Sequence, residues 1–396
     1  MTDSSEPISG YAFVEAVSTP PEQAGRQERS DVVLDVIVSS AFDSGKGGER
    51  NPRDLAIVRI MSTMKRLKNR FNLSAVVEGN WFSVTFGPSP GDPPAWLLYG
   101  TSDYSGPITR INLIRMEPLN GKPKNSPQER LLADLRALCH LGQAGNFIQQ
   151  VPPLKPRATH FVRVLDVGHA NFSAIHKSRD ADSPIEGYFD VGGPVFFHHH
   201  TFPKAFADVG RVPKRGFVAL SHWDFDHYSL AVTKLKALRQ LCWYAPEQDV
   251  GPSAARLQSL LGGNLTLLKQ AAFQVGHGLD LWKGLGPSTD RNSSGYVMTA
   301  SIGRGNALLT GDVAYDMIPA AAFSNLSALA ITHHGGSGGG APPSPLNGTG
   351  VAAVSFGLPN RYHHPDSTNL LAHKGKGWTV HATFNTQISR GDVWLY

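Results

Sequence analysis

The chain of 396 residues predicts an α/β protein whose reactive groups lie in its second half. Short apolar runs recur from Phe161 to Phe356, and several of them end directly on Asp, Gly or His. One such run, Gly216-Phe217-Val218-Ala219-Leu220, reads as a buried strand and leads into Ser221-His222-Trp223-Asp224-Phe225-Asp226-His227. Leu230, Leu235, Leu238 and Leu241 follow at roughly helical spacing, so an amphipathic helix is expected behind that turn. On a strand, residues two apart share a side, which places His222 and Asp224 together and leaves Asp226 and His227 on the turn beyond. Four potential metal ligands in six residues after a strand suit two neighbouring metal ions.

Composition sets loose limits. The length allows two domains, each with its own core. No apolar run approaches 18 residues, and Met1–Pro7 has neither a basic start nor an apolar core, so no membrane span or secretory signal is expected and the compartment reads as cytoplasmic. Cys139 and Cys242 are the only cysteines, which excludes a disulfide scaffold and a cysteine-based zinc site. The net charge of +5 is compatible with a polyanionic partner without requiring one. Of 16 histidines only His140 precedes His160, so the chemistry belongs to the C-terminal part.

Residues 1–30, rich in Ser, Pro, Glu and Gln, are expected to form a poorly ordered lead-in, and residues 31–156 a small α+β domain. Val32–Val38 reads as a strand, and the Gly/Ser-rich segment Ser44–Gly48 as a turn, since it lacks P-loop spacing. Asn51-Pro52-Arg53-Asp54 would open a helix with Ile57, Ile60, Met61, Met64 and Leu67 on its apolar stripe. Arg59, Lys65, Arg66, Lys68 and Arg70 make its other face basic, as a solvated face or a phosphate contact. Trp81–Phe86 and Ala95–Tyr99 read as a hairpin pair. Pro127–Arg130 begins another helix with Leu131, Leu135 and Leu138 on one side, and Val151–Pro156 reads as a stiff linker with the domain boundary near Pro156.

In the second half, 157–396, the strands starting at Phe161 and Gly187 end in Asp166-Val167-Gly168 and Asp190-Val191-Gly192-Gly193. Adjacent His198, His199 and His200 diverge in most conformations, which fits a surface or substrate-entry loop. Ala307-Leu308-Leu309-Thr310-Gly311-Asp312 and Ala328-Leu329-Ala330-Ile331-Thr332-His333-His334 are two more strands that end on ligand types. Val351–Gly357 leads to Asn360-Arg361-Tyr362-His363-His364-Pro365.

The motif H-x-D-x-D-H at 222–227, the D-V-G and D-x-G-G strand ends at Asp166 and Asp190, L-L-T-G-D at Asp312, H-H-G at His333 and N-R-Y-x-H-P at His364 stand in one order. Together they resemble the metallo-β-lactamase fold in the variant found as the soluble domain of the competence protein ComEC. The departures are His169-Ala170-Asn171 for the family's Gln-Gly-Asp, Gly336 for Ser and His363 for Gly. The resemblance covers nearly all of the second half and none of the first. It implies an αββα sandwich with metals at one edge, two divalent ions, zinc or manganese, and hydrolysis as the reaction. His222 and Asp224 would hold one ion and Asp226 and His227 the other, with Asp312 bridging and His333 or His334 completing the second. His277 would be the extra histidine many relatives place on the first ion, Asn292-Ser293-Ser294 would support the ligands, and His364 and Arg361 would act on substrate. Oxygen-rich ligation tilts the metal towards manganese. Asp226 also sits where a carboxylate could orient the attacking water. A nucleic-acid phosphodiester is the expected substrate. The rivals are a small-molecule hydrolase acting on a lactone, thioester or nucleotide, and a regulatory module with a structural metal.

Overall fold

Apolar strands in the first half, with alternate residues filling one core, build a closed antiparallel barrel. The structure is a computed structural model describing residues 6–18, 30–43, 54–88, 93–99, 108–139, 159–180, 183–194, 196–204, 206, 212–360, 362–384 and 390–396. The chain divides into two compact units, Met1–Gln143 with Asp249–Leu260, and Ala144–Gln248 with Leu261–Tyr396.

The first unit contains β1 (Ile8–Ser18), β2 (Ser30–Val38), α1 (Ser39–Asp43), β3 (Leu55–Ser62), α2 (Met64–Phe71), β4 (Trp81–Gly87), β5 (Pro94–Tyr99), β6 (Thr109–Pro118) and α3 (Pro127–Cys139). Its strands close in the order β1-β2-β3-β5-β6-β4. Val32, Leu34 and Val36 face Ala56, Val58 and Ile60 in register, and these residues fill the barrel with Val84, Phe86, Leu97 and Leu113. Three expectations are corrected here. The lead-in over 1–30 holds β1, whose Ala12 and Val14 are barrel core. The helix expected from Asn51 is strand β3 followed by α2, because Ala56, Val58 and Ile60 point alternately into the barrel core while the ladder pairs with β2 and β5, and the N-cap Thr63, accepting from the Arg66 N–H at 3.1 Å, starts the helix. Arg59 consequently lies buried in an ion pair with Asp31, while Lys65, Arg66 and Arg70 are exposed on α2. The supposed hairpin also dissolves, since β4 pairs with β1 and β6, and β5 with β3 and β6. Helix α3 buries Leu132, Leu135 and Cys139, one residue round from the expected stripe. The expected linker and His140 lie outside the described residues. Ser253, from the segment Asp249–Leu260, donates its N–H and hydroxyl to the buried Asp35 of β2 at 2.7 and 2.8 Å.

The second unit runs β7 (Phe161–Val164), β8 (Phe172–His176), β9 (Ile185–Val191), β10 (Phe217–Ala219), α4 (Phe225–Val232) and β11 (Cys242–Pro246). After α5 (Pro252–Leu261), most of which belongs to the first unit, come β12 (Leu265–Leu268), β13 (Ala272–Gly276), β14 (Leu279–Lys283), β15 (Tyr296–Ile302), β16 (Gly305–Leu309), β17 (Leu326–Ala330), β18 (Gly350–Val354), α6 (Ser367–Gly375), β19 (Trp378–Ala382) and β20 (Val393–Leu395). Two seven-stranded sheets result, β12-β11-β10-β9-β8-β7-β20 and β13-β14-β15-β16-β17-β18-β19. Val164, Ile175, Phe189 and Ala219 of the first meet Leu281, Met298, Ala307 and Leu309 of the second in one core. The outer face of the second sheet, with Leu308, Leu329 and Val354, is covered by Leu370 of α6, and α4 packs on β9. The layering is therefore helix, sheet, sheet, helix. Helix α4 stops at Val232, and Leu238 is carried by a separate 3₁₀ turn over Lys236–Gln240, so the expected single leucine-lined helix is two pieces.

Strand direction decides which loops meet. β9 and β10 are parallel neighbours, as are β16, β17 and β18, so their C-terminal ends lie on one edge of each sheet. Asp190 lies at the end of β9, just before Val191, and His222–His227, Asp312 and His333–His334 follow the ends of β10, β16 and β17.

Candidate metal centre

Asp190 closes β9 with left-handed backbone, φ 53°, and is fully buried. Its Oδ1 accepts the Ser221 N–H at 2.7 Å, and its Oδ2 accepts the Ser221 hydroxyl at 2.9 Å and lies 2.9 Å from His227 Nδ1. The Ser221 hydroxyl, its proton committed to Asp190, lies 3.0 Å from His222 Nδ1. An acceptor at each Nδ1 holds a ring proton there, so that in the neutral rings the Nε2 lone pairs of His222 and His227 face inward. Both rings are fully buried, and neither Nε2 has a hydrogen-bond partner among the described residues.

Around these two nitrogens the other groups converge. His222 Nε2 is 3.3 Å from Asp224 Oδ2, and His227 Nε2 is 3.5 Å from Asp312 Oδ1 and 3.9 Å from Asp226 Oδ1. His334 Nε2 lies 3.3 Å from Asp226 Oδ2, while its Nδ1 donates to the Ser355 carbonyl at 3.0 Å. Two sets of ligand atoms lie within 4.8 Å of one another: His222, His227 and Asp312, and Asp226, His227 and His334. The donor set and the unpartnered buried nitrogens fit a divalent metal.

The electrostatics agree with closely packed ion pairs. Burial pushes His227 down, but the carboxylates of Asp190, Asp312 and Asp226 outweigh it and hold the imidazolium well above the usual histidine range. Burial raises Asp312, yet His333 and His227 bring its carboxyl well below the carboxylate range. Asp226 is likewise lowered against its burial by His227 and His334.

The supporting backbone is tight. A Cβ on Gly192 would stand 1.6 Å from the Asp226 carbonyl oxygen, so the turn after β9 needs glycine to lie against the start of α4. Gly295 similarly lets β15 approach the His222 strand end, where Tyr296 N–H donates to Ser221 O at 2.8 Å. His333 and His334 are consecutive left-handed residues, φ 51° and 53°, a conformation costing about 1–3 kcal/mol per non-glycine residue. Gly336, where the family motif has Ser, leaves room for His364: a Cβ there would be 2.1 Å from the His364 ring.

Of the residues singled out in the sequence, His222, Asp226, His227, Asp312 and His334 come together. Asp224 lies beside His222 but also meets the buried Arg291 guanidinium at 2.8 Å. His333 Nδ1 is 3.1 Å from Asp312 Oδ2, so both adjacent histidines face the site from different sides. The His364 ring packs 5.1 Å from His333, and burial, then His333 and His334, lowers it to about 3. Arg361 lies outside the described residues. His277 is displaced: it sits in the β13–β14 turn beside the Ile302 end of β15, whereas the ligands gather at the Tyr296 end, roughly 20 Å away along a seven-residue strand. Antiparallel pairing of β14 with β15 puts that turn on the opposite edge, and the His277 carbonyl accepts from His160 Nε2 at 2.8 Å.

Four supporting residues escaped the sequence reading. Asp190, Ser221, Arg291 and Ser355 bear on the ligands only through tertiary contacts, although Asp190's place at a strand end was a visible signal. Asn171, standing where the family has Asp, donates to Asp312 Oδ1 at 3.0 Å. Asp166 instead anchors the C-terminal segment, accepting from Arg390 at 2.6 and 2.7 Å. His198 is buried 5.2 Å from the His169 ring, while His199 and His200 are exposed. Gln248 and Ser294 bond at 3.0 Å beneath the 290–295 turn.

No family model matches the chain, and no curated protein does. Solved structures do match, two of which are described as β-lactamase superfamily or metallo-β-lactamase fold proteins. One is a metal-dependent hydrolase of the β-lactamase superfamily, 11% identical, with a TM-score of 0.36 over 60% of this chain and 99% of that chain. Another is the metallo-β-lactamase fold protein YhfI of Bacillus subtilis, 14% identical, with a TM-score of 0.34 over the same shares. No described helix is long and apolar enough to cross a membrane.

Proposed function

We propose that the chain is a metal-dependent hydrolase acting on phosphodiester bonds of a nucleic acid. The observation that carries the hydrolase reading is the pair of buried, inward-facing Nε2 atoms of His222 and His227, each held by a hydrogen bond at Nδ1 and surrounded by carboxylates. Bound there, zinc or manganese would lower the pKa of a water and offset charge developing on a phosphoryl oxygen. The chain's own groups supply the rest. Asp226, with Oδ2 3.3 Å from His334 Nε2 and Oδ1 3.9 Å from His227 Nε2, would both hold such an ion and orient the attacking water. His364, held neutral, is suited to hydrogen-bonding a substrate oxygen and not to delivering a proton at neutral pH.

The substrate class rests on the likeness of the motifs from Asp166 to Pro365 to the ComEC-type domain, and on the exposed cations of α2. Purified protein with added manganese or zinc should cleave single-stranded DNA, duplex DNA or RNA in preference to generic lactones. Neutralising Lys65, Arg66, Lys68 and Arg70 together should weaken single-strand binding and flatten its salt dependence by about 0.7 in log–log slope for each phosphate no longer neutralised. Lactone or thioester turnover without any nucleic-acid cleavage would replace the substrate class and keep the hydrolase.

A further inference from the structure

We infer that this centre holds one metal ion, with the Arg291 guanidinium as a permanent cation in the place of a second. The inference rests on the metal-centre reading above and concerns how many ions it takes. Both ligand sets contain His227, whose Nε2 is the nitrogen that faces Asp312 and Asp226. An imidazole nitrogen has a single lone pair and serves one ion, and the ring cannot offer its other nitrogen, because Nδ1 is held 2.9 Å from Asp190. His227 thus serves one position only, and an ion at the other must draw on His222, Asp224 and Asp312.

Charge separates them. At the His222 end, with His227 committed to the other position, the carboxylate beside His222 Nε2 is Asp224, with Oδ2 at 3.3 Å and Oδ1 already 2.8 Å from Arg291. Arg291 is only 6% exposed, its carbonyl accepts from the buried Gln248 amide at 2.7 Å, and its NH1 points to the Trp223 carbonyl at 3.4 Å. A guanidinium stays protonated, so this charge cannot be shed to admit an ion. Asp224 therefore bridges a fixed cation and His222, a role that elsewhere falls to a ligand between two metals. At the other end Asp226, His227 and His334 are complete without Asp224, with Asp312 within 3.5 Å of His227 Nε2 as a further oxygen donor. The ion belongs there. The sequence expectation of two ions counted ligand types, and Arg291, 67 residues beyond Asp224, was not among them.

The test is a count of ions. Full-length protein stripped with a chelator is titrated calorimetrically with manganese and with zinc, and the retained metal is measured by elemental analysis. One ion per chain is expected for the parent and for Arg291→Lys, and two for Arg291→Gln, where Asp224 is released. Two ions in the parent would overturn the inference, as would one ion in an Arg291→Gln protein whose melting curve is intact. If Arg291→Gln does not fold, the parent and Arg291→Lys counts decide by themselves. No ion in any variant would overturn the metal-centre reading as well, so the two failures are told apart.

Discussion

Asp190 touches no ion in this scheme, yet replacing it should disable the centre. In Asp190→Asn the amide oxygen can still accept the Ser221 N–H, now 2.7 Å from Oδ1, and this turns the NH2 group towards the Ser221 hydroxyl and His227 Nδ1, both at 2.9 Å. The hydroxyl can rotate. The imidazole cannot, and to avoid a donor facing a donor it must move its proton from Nδ1 to Nε2, which removes the lone pair from the metal face. Losing such a supporting bond costs about 10–100-fold in metal affinity, or about 1.4–2.8 kcal/mol at 1.4 kcal/mol per decade. The fold is weakened separately, since a buried polar group left unsatisfied costs about 1–3 kcal/mol. Competition against a chromophoric chelator measures the first effect, and thermal melting of the metal-free proteins measures the second. A folded Asp190→Asn protein that binds manganese or zinc within twofold of the parent would refute the tautomer reasoning.

Asp226→Ala should abolish hydrolysis with a melting curve close to the parent's, because the carboxylate is partly exposed and clusters with His227 and His334; turnover within a few-fold of the parent would show that the site is misassigned. His227 has a raised pKa in the metal-free protein, so it carries a proton at neutral pH that a metal must expel; affinity should rise with pH until that pKa is passed, by up to about tenfold per unit. Calorimetry in buffers of different ionisation heat should read release near one proton per ion at pH 7, and no release would contradict the assignment. Gly192→Ala should destabilise the fold by about 1–3 kcal/mol and lower metal affinity as well, since its Cβ displaces the Asp226 carbonyl; an unchanged melting temperature would show that the turn yields freely.

The sequence by itself carried the class of the second half and most of the centre, because a strand that ends on a ligand is a local pattern. His222, Asp226, His227, Asp312 and His334 each follow an apolar run within two to seven residues, and parallel strands then bring such ends to one edge. Local patterns failed where two periods compete. The apolar residues from Ile57 to Leu67 satisfy a helical stripe on paper, but barrel closure against β2 and β5 turns alternate residues through Ile60 into the barrel core and leaves only Met64–Phe71 helical. His277 failed for a related reason, since a histidine in a turn carries no mark of which sheet edge the turn occupies, and antiparallel pairing put it on the far one. The tautomers of His222 and His227, and the buried charge beside Asp224, were decided only by tertiary structure. Asp190 lies 37 residues from His227, and Arg291 67 residues from Asp224. A hydrogen bond or ion pair of about 3 Å depends on where strands from distant parts of the chain pack, and no spacing rule in the sequence encodes that.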